Sequence, residues 1–384
     1  MKAAAALSFW EREVFFGTID LIIVGSGIVG LNAAIRLKEL SPDLRIVVLE
    51  RSALAAGAST RNAGFACFGS MTELLEDCEK NGEDACFSLV EERWRGLQLL
   101  RQRIGDVQLD LKAYGGYEMF RETEKESFEK CMDAMPKINR YLADIIGHKE
   151  VFVRADQALG QMGFRSVSHL IFNQSEGQLN PGKMMAALIQ MARQMGIQII
   201  NGLEVVSLTD DGTEVVLQTD AAWELRAARV LVATNGFARQ LLPELQLRPA
   251  RNQVMITKPI KHLPFQSCFH YDRGYYYFRN VGNRLLLGGG RHLFEQEEYT
   301  EEFGMTEAVR EHLLELVREV ILPSTAFEPD CWWSGILGVG DSKKPIVKKV
   351  SERLFVAVRL GGMGVAIGNS VGRQAAALML SSMD

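Results

Sequence analysis

Residues 20–50 read DLIIVGSGIVGLNAAIRLKELSPDLRIVVLE, and this stretch decides the fold. Leu21, Ile22, Ile23 and Val24 form a short apolar run of the kind buried in parallel sheets. A glycine-rich turn follows, then a helical pattern with Leu31, Ala34, Ile35 and Leu37 on one face. Ser41, Pro42 and Asp43 end the helix, and residues 44–49 make a second strand that finishes at Glu50. This is a βαβ unit carrying a dinucleotide fingerprint. Gly25 permits the tight turn out of the strand. Gly27 has no Cβ, so the backbone can approach a pyrophosphate. Gly30 lets the helix pack close to the sheet. The helix N-terminus offers unpaired N–H groups and the positive end of a dipole to the phosphates. Glu50 can accept hydrogen bonds from ribose hydroxyls, and an acid there argues against a 2′-phosphate. The expected cofactor-binding residues of this unit are Gly25, Ser26, Gly27, Ile28, Gly30, Glu50 and Arg51.

The bulk composition narrows the class. A chain of 384 residues is too long for one ordinary core, so two domains are expected. Apolar content of 47% and charged content of 24% suit a globular protein outside the membrane, and no apolar run reaches a membrane-spanning length. A net charge of −5 gives no reason to expect nucleic acid. The six cysteines (67, 78, 86, 131, 268 and 331) form no CxxC pair and have no histidine cluster beside them. The expectation is therefore no metal, with free thiols in the reducing cytoplasm. The opening MKAAAALSFWERE is too short in apolar residues to read as a signal peptide.

Outward from the fingerprint, residues 8–16 form a short amphipathic helix whose Phe9, Trp10 and Phe15 are expected to pack on the sheet. Residues 54–70, LAAGASTRNAGFACFGS, are small and glycine-rich, so backbone passes close to something there. Helices are expected from about 72 to 104, with Arg93, Arg95, Arg101 and Arg103 as a solvated face. A strand over 113–121, a helix over 124–146, and a turn at 176–183 feeding a helix to 195 follow, with Pro181 in that helix's first turn. Residues 198–236 alternate strands and turns, ending in the buried RVLVATNG. From Pro249 the pattern changes to alternating strands. Two of these, GYYYFR and RLLLGGG, are joined by a hairpin turn at residues 280–283. An amphipathic helix over 306–321, the strand LFVAV (354–358) and a glycine-led helix to 380 close the chain. Parallel-type elements thus stand at the start, near 198–236 and at the end, with antiparallel material inserted. The final strand–Gly–Gly–x–Gly–helix aims a second helix N-terminus at a ligand, which an NAD dehydrogenase does not need.

Together these residues resemble the FAD-dependent oxidoreductases of the D-amino acid oxidase, glycine oxidase and sarcosine oxidase family. The anchors are VGSGIVG (24–30) with Glu50, GASTRNAG (57–64), EGQLNPGK (176–183), LEVVSL (203–208), VLVATNG (230–236) and LGGMGVAIG (360–368). The resemblance implies an α/β fold, with a glutathione-reductase-like Rossmann FAD domain and an inserted antiparallel-sheet substrate domain. Residues 17–80, 176–240 and 331–384 are assigned to the former, 81–175 and 241–330 to the latter. It implies non-covalent FAD, since residues 334–345 lack the flavin-linking cysteine of sarcosine oxidase. It places Val205 at the adenine, and Ala233, Thr234, Asn235 and Gly236 at the diphosphate. Ser59, Thr60, Arg61, Asn62, Ala63 and Gly64 run beside the ring. Gly361, Gly362, Met363, Gly364 and Val365 set backbone N–H groups near flavin N1 and O2, where negative charge develops.

The implied reaction oxidises a C–N bond of an amino acid or amine. Hydride passes to flavin N5, the imine is hydrolysed, and O₂ or another acceptor takes the electrons. Tyr275 and Tyr277 share one strand face and provide aromatic walls that help keep the substrate nitrogen neutral. Arg291, after three glycines, is the first candidate to anchor a substrate carboxylate; the alternative is an ion pair with Glu295. Arg61 is the second candidate, and His292 reads as structural. Two departures stand out: Leu337 occupies the place of glycine oxidase's carboxylate-binding arginine, and Leu286 that of sarcosine oxidase's oxygen-activating lysine. Lys343, Lys344, Lys348 and Lys349 read as solvated loop charges. Two other readings stay open, an NAD-dependent dehydrogenase and a flavoenzyme acting on a macromolecule-borne amine.

Overall fold

In a computed structural model that describes residues 6–382, the expected βαβ unit forms with a strand at Leu21–Val24, a helix at Ile28–Leu40 and a strand at Ile46–Glu50. All nine strand residues are buried, as apolar runs covered on both faces must be. They sit in a six-stranded sheet ordered 346–349, 354–358, 229–232, 21–24, 46–50, 198–201. Its five inner and far strands run parallel, while Ile346–Lys349 pairs antiparallel with Leu354–Val358. The sheet is thus assembled from the beginning, middle and end of the chain.

One face carries the helices Ile28–Leu40, Glu83–Ile104, Pro181–Gln194 and Gly364–Leu380 over a core of aliphatic residues. The other face carries a three-stranded antiparallel sheet (Val205–Asp210, Val215–Thr219, Glu224–Ala227). Local chemistry sets the helix starts. Pro181 stands at the first turn, and Asn180 accepts from Lys183 N at 3.0 Å, satisfying an otherwise orphaned donor.

The inserted material forms an eight-stranded sheet ordered 329–339, 248–257, 284–289, 276–281, 268–271, 116–121, 167–173, 152–154. It is antiparallel except where Cys268–Tyr271 runs parallel to Gly116–Arg121. Here three expectations are corrected. The strand Pro329–Val339 pairs along Arg248–Thr257, so this sheet continues past the boundary set at 330. Phe9, Trp10 and Phe15 do not pack on the sheet: they are 65%, 73% and 48% exposed, and Phe16 alone turns inward, onto Trp223. Arg93 and Arg103 are not solvated; Arg93 is 2% exposed and donates to Phe68 O, and Arg103 reaches Glu39 and Asn32. Long side chains on a helix between two packed layers are drawn in wherever a carbonyl or amide can receive them.

Candidate functional site

Two helix N-termini meet at one cleft, and small residues bring them there. A Cβ at Gly368 would lie 2.7 Å from the Ile28 side chain, and one at Gly372 would lie 2.8 Å from Val29 O. Gly364, Gly368 and Gly372 share a four-residue spacing, so one stripe of the C-terminal helix lets it lie almost backbone-to-backbone on Ile28–Leu40. Asn32, buried between them, locks the register: it donates to Ile28 O at 2.7 Å and receives Asn369 at 2.9 Å and Arg103 at 2.8 Å. Consequently Gly27 and Ile28 from one helix, and Gly362, Gly364 and Val365 from the other, line the same space.

That space is a cleft of about 140 Å³. Gly25, Glu50, Arg51, Ser59, Asn62, Val205, Ala233, Thr234 and Asn235 line it as the sequence suggests. Glu50 is oriented by Ser26, whose hydroxyl donates to it at 2.8 Å, and by Ser52 N at 3.0 Å. Asn235 holds the turn before Gly361 by accepting from Arg359 N at 3.2 Å. Arg51 lies 3.8 Å over the Phe237 ring and pairs with Glu204 at 3.5 Å. Four expected residues stand behind the wall instead. Ser26 orients Glu50. Thr60 ties its loop to Ala55 O. Gly30 and Gly236 serve close packing, since Cβ atoms there would meet Gly25 O at 2.0 Å and Leu337 O at 2.6 Å.

The cleft fits a dinucleotide. A Cβ at Gly57, Gly361 or Gly362 would meet nothing within 4 Å, and one at Gly27 would meet only Ser59 Oγ, at 3.1 Å. Glycines with open space before them keep backbone accessible to a ligand. Ile28 N, at the helix tip, donates to Ser59 Oγ at 2.9 Å. The buried Thr234 Oγ1 lacks a protein partner and lines the cleft.

Through Ala58, Asn62, Leu337, Gly362 and Val365 the cleft joins a second cavity of about 370 Å³. Arg61, Ala63, Gly64, Tyr275, Tyr277, Arg291, Gly361 and Met363 line it. The four candidate chemistry residues, distant in sequence, therefore share one chamber. Tyr277 accepts from Asn252 at 2.9 Å, and burial pushes its phenol well up, so it stays neutral. Tyr275 stacks 4.2 Å from His292, which pairs with Asp272 at 3.1 Å and so holds the tyrosine. The Arg291 guanidinium makes no hydrogen bond or ion pair with any described residue, and the alternative pair with Glu295 does not form. Arg61 differs. It donates to Ala56 O at 2.8 Å and Ser334 O at 2.9 Å and lies 4.5 Å over Phe303, so its planar head clamps the loop rather than facing a substrate. Lys343, read as solvated, pairs with Asp77 at 2.7 Å on the chamber's rim.

Some residues escaped the sequence reading. His270 lines the chamber and bonds Glu176 at 2.8 Å, with the Cys67 thiol in the same buried group. Burial opposes protonation of His270, yet the Glu176 carboxylate outweighs it, and the imidazole is pushed up to about 9. Burial drives the Cys67 thiol up, so it is not a thiolate. These three residues are far apart in sequence, and only the alternation of strand Cys268–Tyr271 hinted that His270 faces inward. Leu286 packs in an apolar cluster with Ala63 and Val254.

The family model for FAD dependent oxidoreductases matches residues 20–378. A probable oxidoreductase of Haemophilus influenzae is 22% identical over 377 residues, covering 94% of this chain and 83% of the relative. Among solved structures, L-proline dehydrogenase from P. horikoshii superposes with a TM-score of 0.75 at 16% identity, over 95% of this chain and 94% of the other. Glycine oxidase from Geobacillus kaustophilus gives 0.73 at 20% identity, over 94% of each chain.

Proposed function

The chain belongs to the FAD-dependent oxidoreductase family, and from that membership we propose that it oxidises the C–N bond of a small amine or amino acid bearing a carboxylate that Arg291 anchors. The observation that carries this reading is the unpaired Arg291 guanidinium in the chamber beyond the dinucleotide cleft. A cation kept without a protein partner, beside Tyr275 and Tyr277, suits a bidentate carboxylate. L-proline dehydrogenase and glycine oxidase, whose folds this chain shares, are named for substrates of that kind.

FAD, when bound, supplies the acceptor for the hydride on the carbon beside nitrogen. The residues of this chain do the rest. Gly27 and Ile28 at one helix tip would hold the cofactor's diphosphate, and the backbone of 361–365 at the other would face its ring. Tyr275 and Tyr277 exclude water and disfavour the ammonium form, so the substrate nitrogen reaches the neutral state that oxidation requires. Arg291 fixes the substrate's orientation, which converts an encounter into a positioned reaction. The cofactor part comprises 17–80, the helix Glu83–Ile104 that covers its sheet, 176–240 and the segment after 339.

A second feature bears on the electron acceptor. Leu286, with Ala63 and Val254, is apolar where the resemblance to sarcosine oxidase places an oxygen-activating lysine. This favours an acceptor other than dioxygen.

The test is an anaerobic panel of amines and amino acids, read by bleaching of the flavin band. Carboxylate-bearing amines should bleach it. If no member of a broad panel does, the substrate assignment fails.

A further inference from the structure

Arg279 is a buried cation with no acid to meet it. It lies on the strand Tyr276–Val281, two residues after Tyr277 and therefore on the same strand face, and is 6% exposed. Its Nε donates to Ala63 O, its Nη2 to Leu179 O at 3.1 Å and its Nη1 to Asn280 O at 3.4 Å. All three partners are carbonyls. No carboxylate among the described residues pairs with it; of the two acidic groups whose charge it feels, Cys268 is a buried thiol that burial keeps protonated, and Asp110 is already bound by Lys112 and Lys183. Burial pulls its pKa below the ordinary guanidinium value, but the group stays charged at neutral pH.

Its position is specific. Ala63 and Gly64 line the chamber, and Arg279 stands directly behind them: a Cβ on Gly64 would lie 2.9 Å from its Nη2. These two residues belong to the loop at the junction of cleft and chamber, where a dinucleotide extending from Gly27 toward Arg291 must place its ring. An unpaired buried charge is costly unless something of opposite sign arrives. In a water-poor site, a fixed cation favours whichever bound state carries negative charge.

We propose that Arg279 is a positioning residue that sets the electron affinity of the bound cofactor, acting as a fixed positive charge through the Ala63–Gly64 backbone. It touches neither substrate nor the reacting atoms. It raises the cofactor's readiness to accept a hydride because the ring gains negative charge when it does so. The inference rests on FAD occupying the joined cavities, not on a carboxylate substrate.

The test uses the FAD-loaded protein with sulfite, a probe that adds to the flavin as an anion and needs no substrate. Arg279→Met should weaken sulfite binding at least tenfold and lower the midpoint potential by about 30 mV, the equivalent of tenfold for two electrons. Arg279→Lys keeps the charge but loses the planar fork. It should melt at lower temperature with sulfite affinity within threefold of the parent. A purely structural clamp predicts lower melting in both variants with sulfite affinity and potential unmoved in Arg279→Met, which would overturn the proposal. Should Arg279→Met not fold, a tenfold loss of sulfite affinity in the charge-retaining Arg279→Lys would overturn it equally. Failure of the substrate panel with these sulfite results intact would sink the carboxylate reading alone.

Discussion

Gly372 and Asn32 lie so close that a Cβ on the glycine would sit 2.8 Å from the Cβ of the asparagine. That approach joins the last helix of the chain to the first helix of the dinucleotide unit. Because both helix tips line one cleft, the packing of Gly372 on Asn32 and Val29 bears on how the phosphate- and ring-facing tips are aimed.

The first prediction follows from that contact. Gly372→Val must push against Asn32 and Val29 O, both set in a closely packed interface. Overpacking of this kind costs about 1–3 kcal/mol. The variant should melt at lower temperature and purify with less flavin per chain. Unchanged melting and full flavin would show that the helices have slack.

Gly27 and Gly30 should separate binding from folding. A Cβ at Gly30 would sit 2.0 Å from Gly25 O, whereas one at Gly27 meets only the Ser59 hydroxyl, at 3.1 Å. Gly30→Ala should therefore lower stability of the flavin-free protein. Gly27→Val should melt like the flavin-free parent yet fail to retain FAD, since its side chain fills the pyrophosphate's space. Circular dichroism melts with flavin-to-protein ratios check both. A Gly27→Val protein that keeps its flavin would contradict the placement.

Arg291→Ala should raise KM for a carboxylate-bearing substrate by about 2–4 kcal/mol of lost binding, and Arg291→Lys should recover part of it. Steady-state kinetics decide the matter. Arg61→Lys should instead lower stability, because Arg61 serves Ala56 O and Ser334 O. An unchanged KM in Arg291→Ala would remove that residue from the site.

What was legible in the sequence was whatever local pattern encodes. The apolar runs at 21–24 and 354–358, the glycines of both turns and the start at Pro181 each answer to a short-range rule and appear in place, while the second strand, expected from 44, begins at Ile46. Tyr277 and Arg291 line one chamber, a placement that strand alternation and a glycine run make readable because they limit where side chains point. Arg93 was misread because spacing on a helix does not say which neighbour covers it, and here Phe68 O receives it. Phe9, Trp10 and Phe15 were misread for the converse reason: amphipathic spacing does not guarantee a surface to cover. His270 meeting Glu176, and Arg279 meeting Ala63 O, join segments 94 and 216 residues apart, and no periodicity reports such a meeting.

The His270–Glu176 pair gives a pH dependence. Burial opposes protonation of the imidazole, but its hydrogen bond and ion pair with Glu176 and the more distant charges of Glu73 and Glu118 outweigh it, so its pKa rises from 6.5 to about 9 on folding. The folded state thus binds the extra proton. The stabilisation is complete below 6.5 and fades as pH rises through about 9. Urea midpoints should fall over that window, and His270→Gln should flatten the slope. A parent protein whose midpoint rises or stays level there would contradict the pairing.

The most direct measurement is a crystal structure of the FAD-loaded protein with a carboxylate-bearing inhibitor that resembles an amino acid. The account predicts the diphosphate at Gly27 and Ile28, the ring between Ala63–Gly64 and the turn at 361–365, and the carboxylate paired with Arg291. A diphosphate away from Gly27, or a carboxylate held elsewhere with Arg291 unengaged, would contradict it.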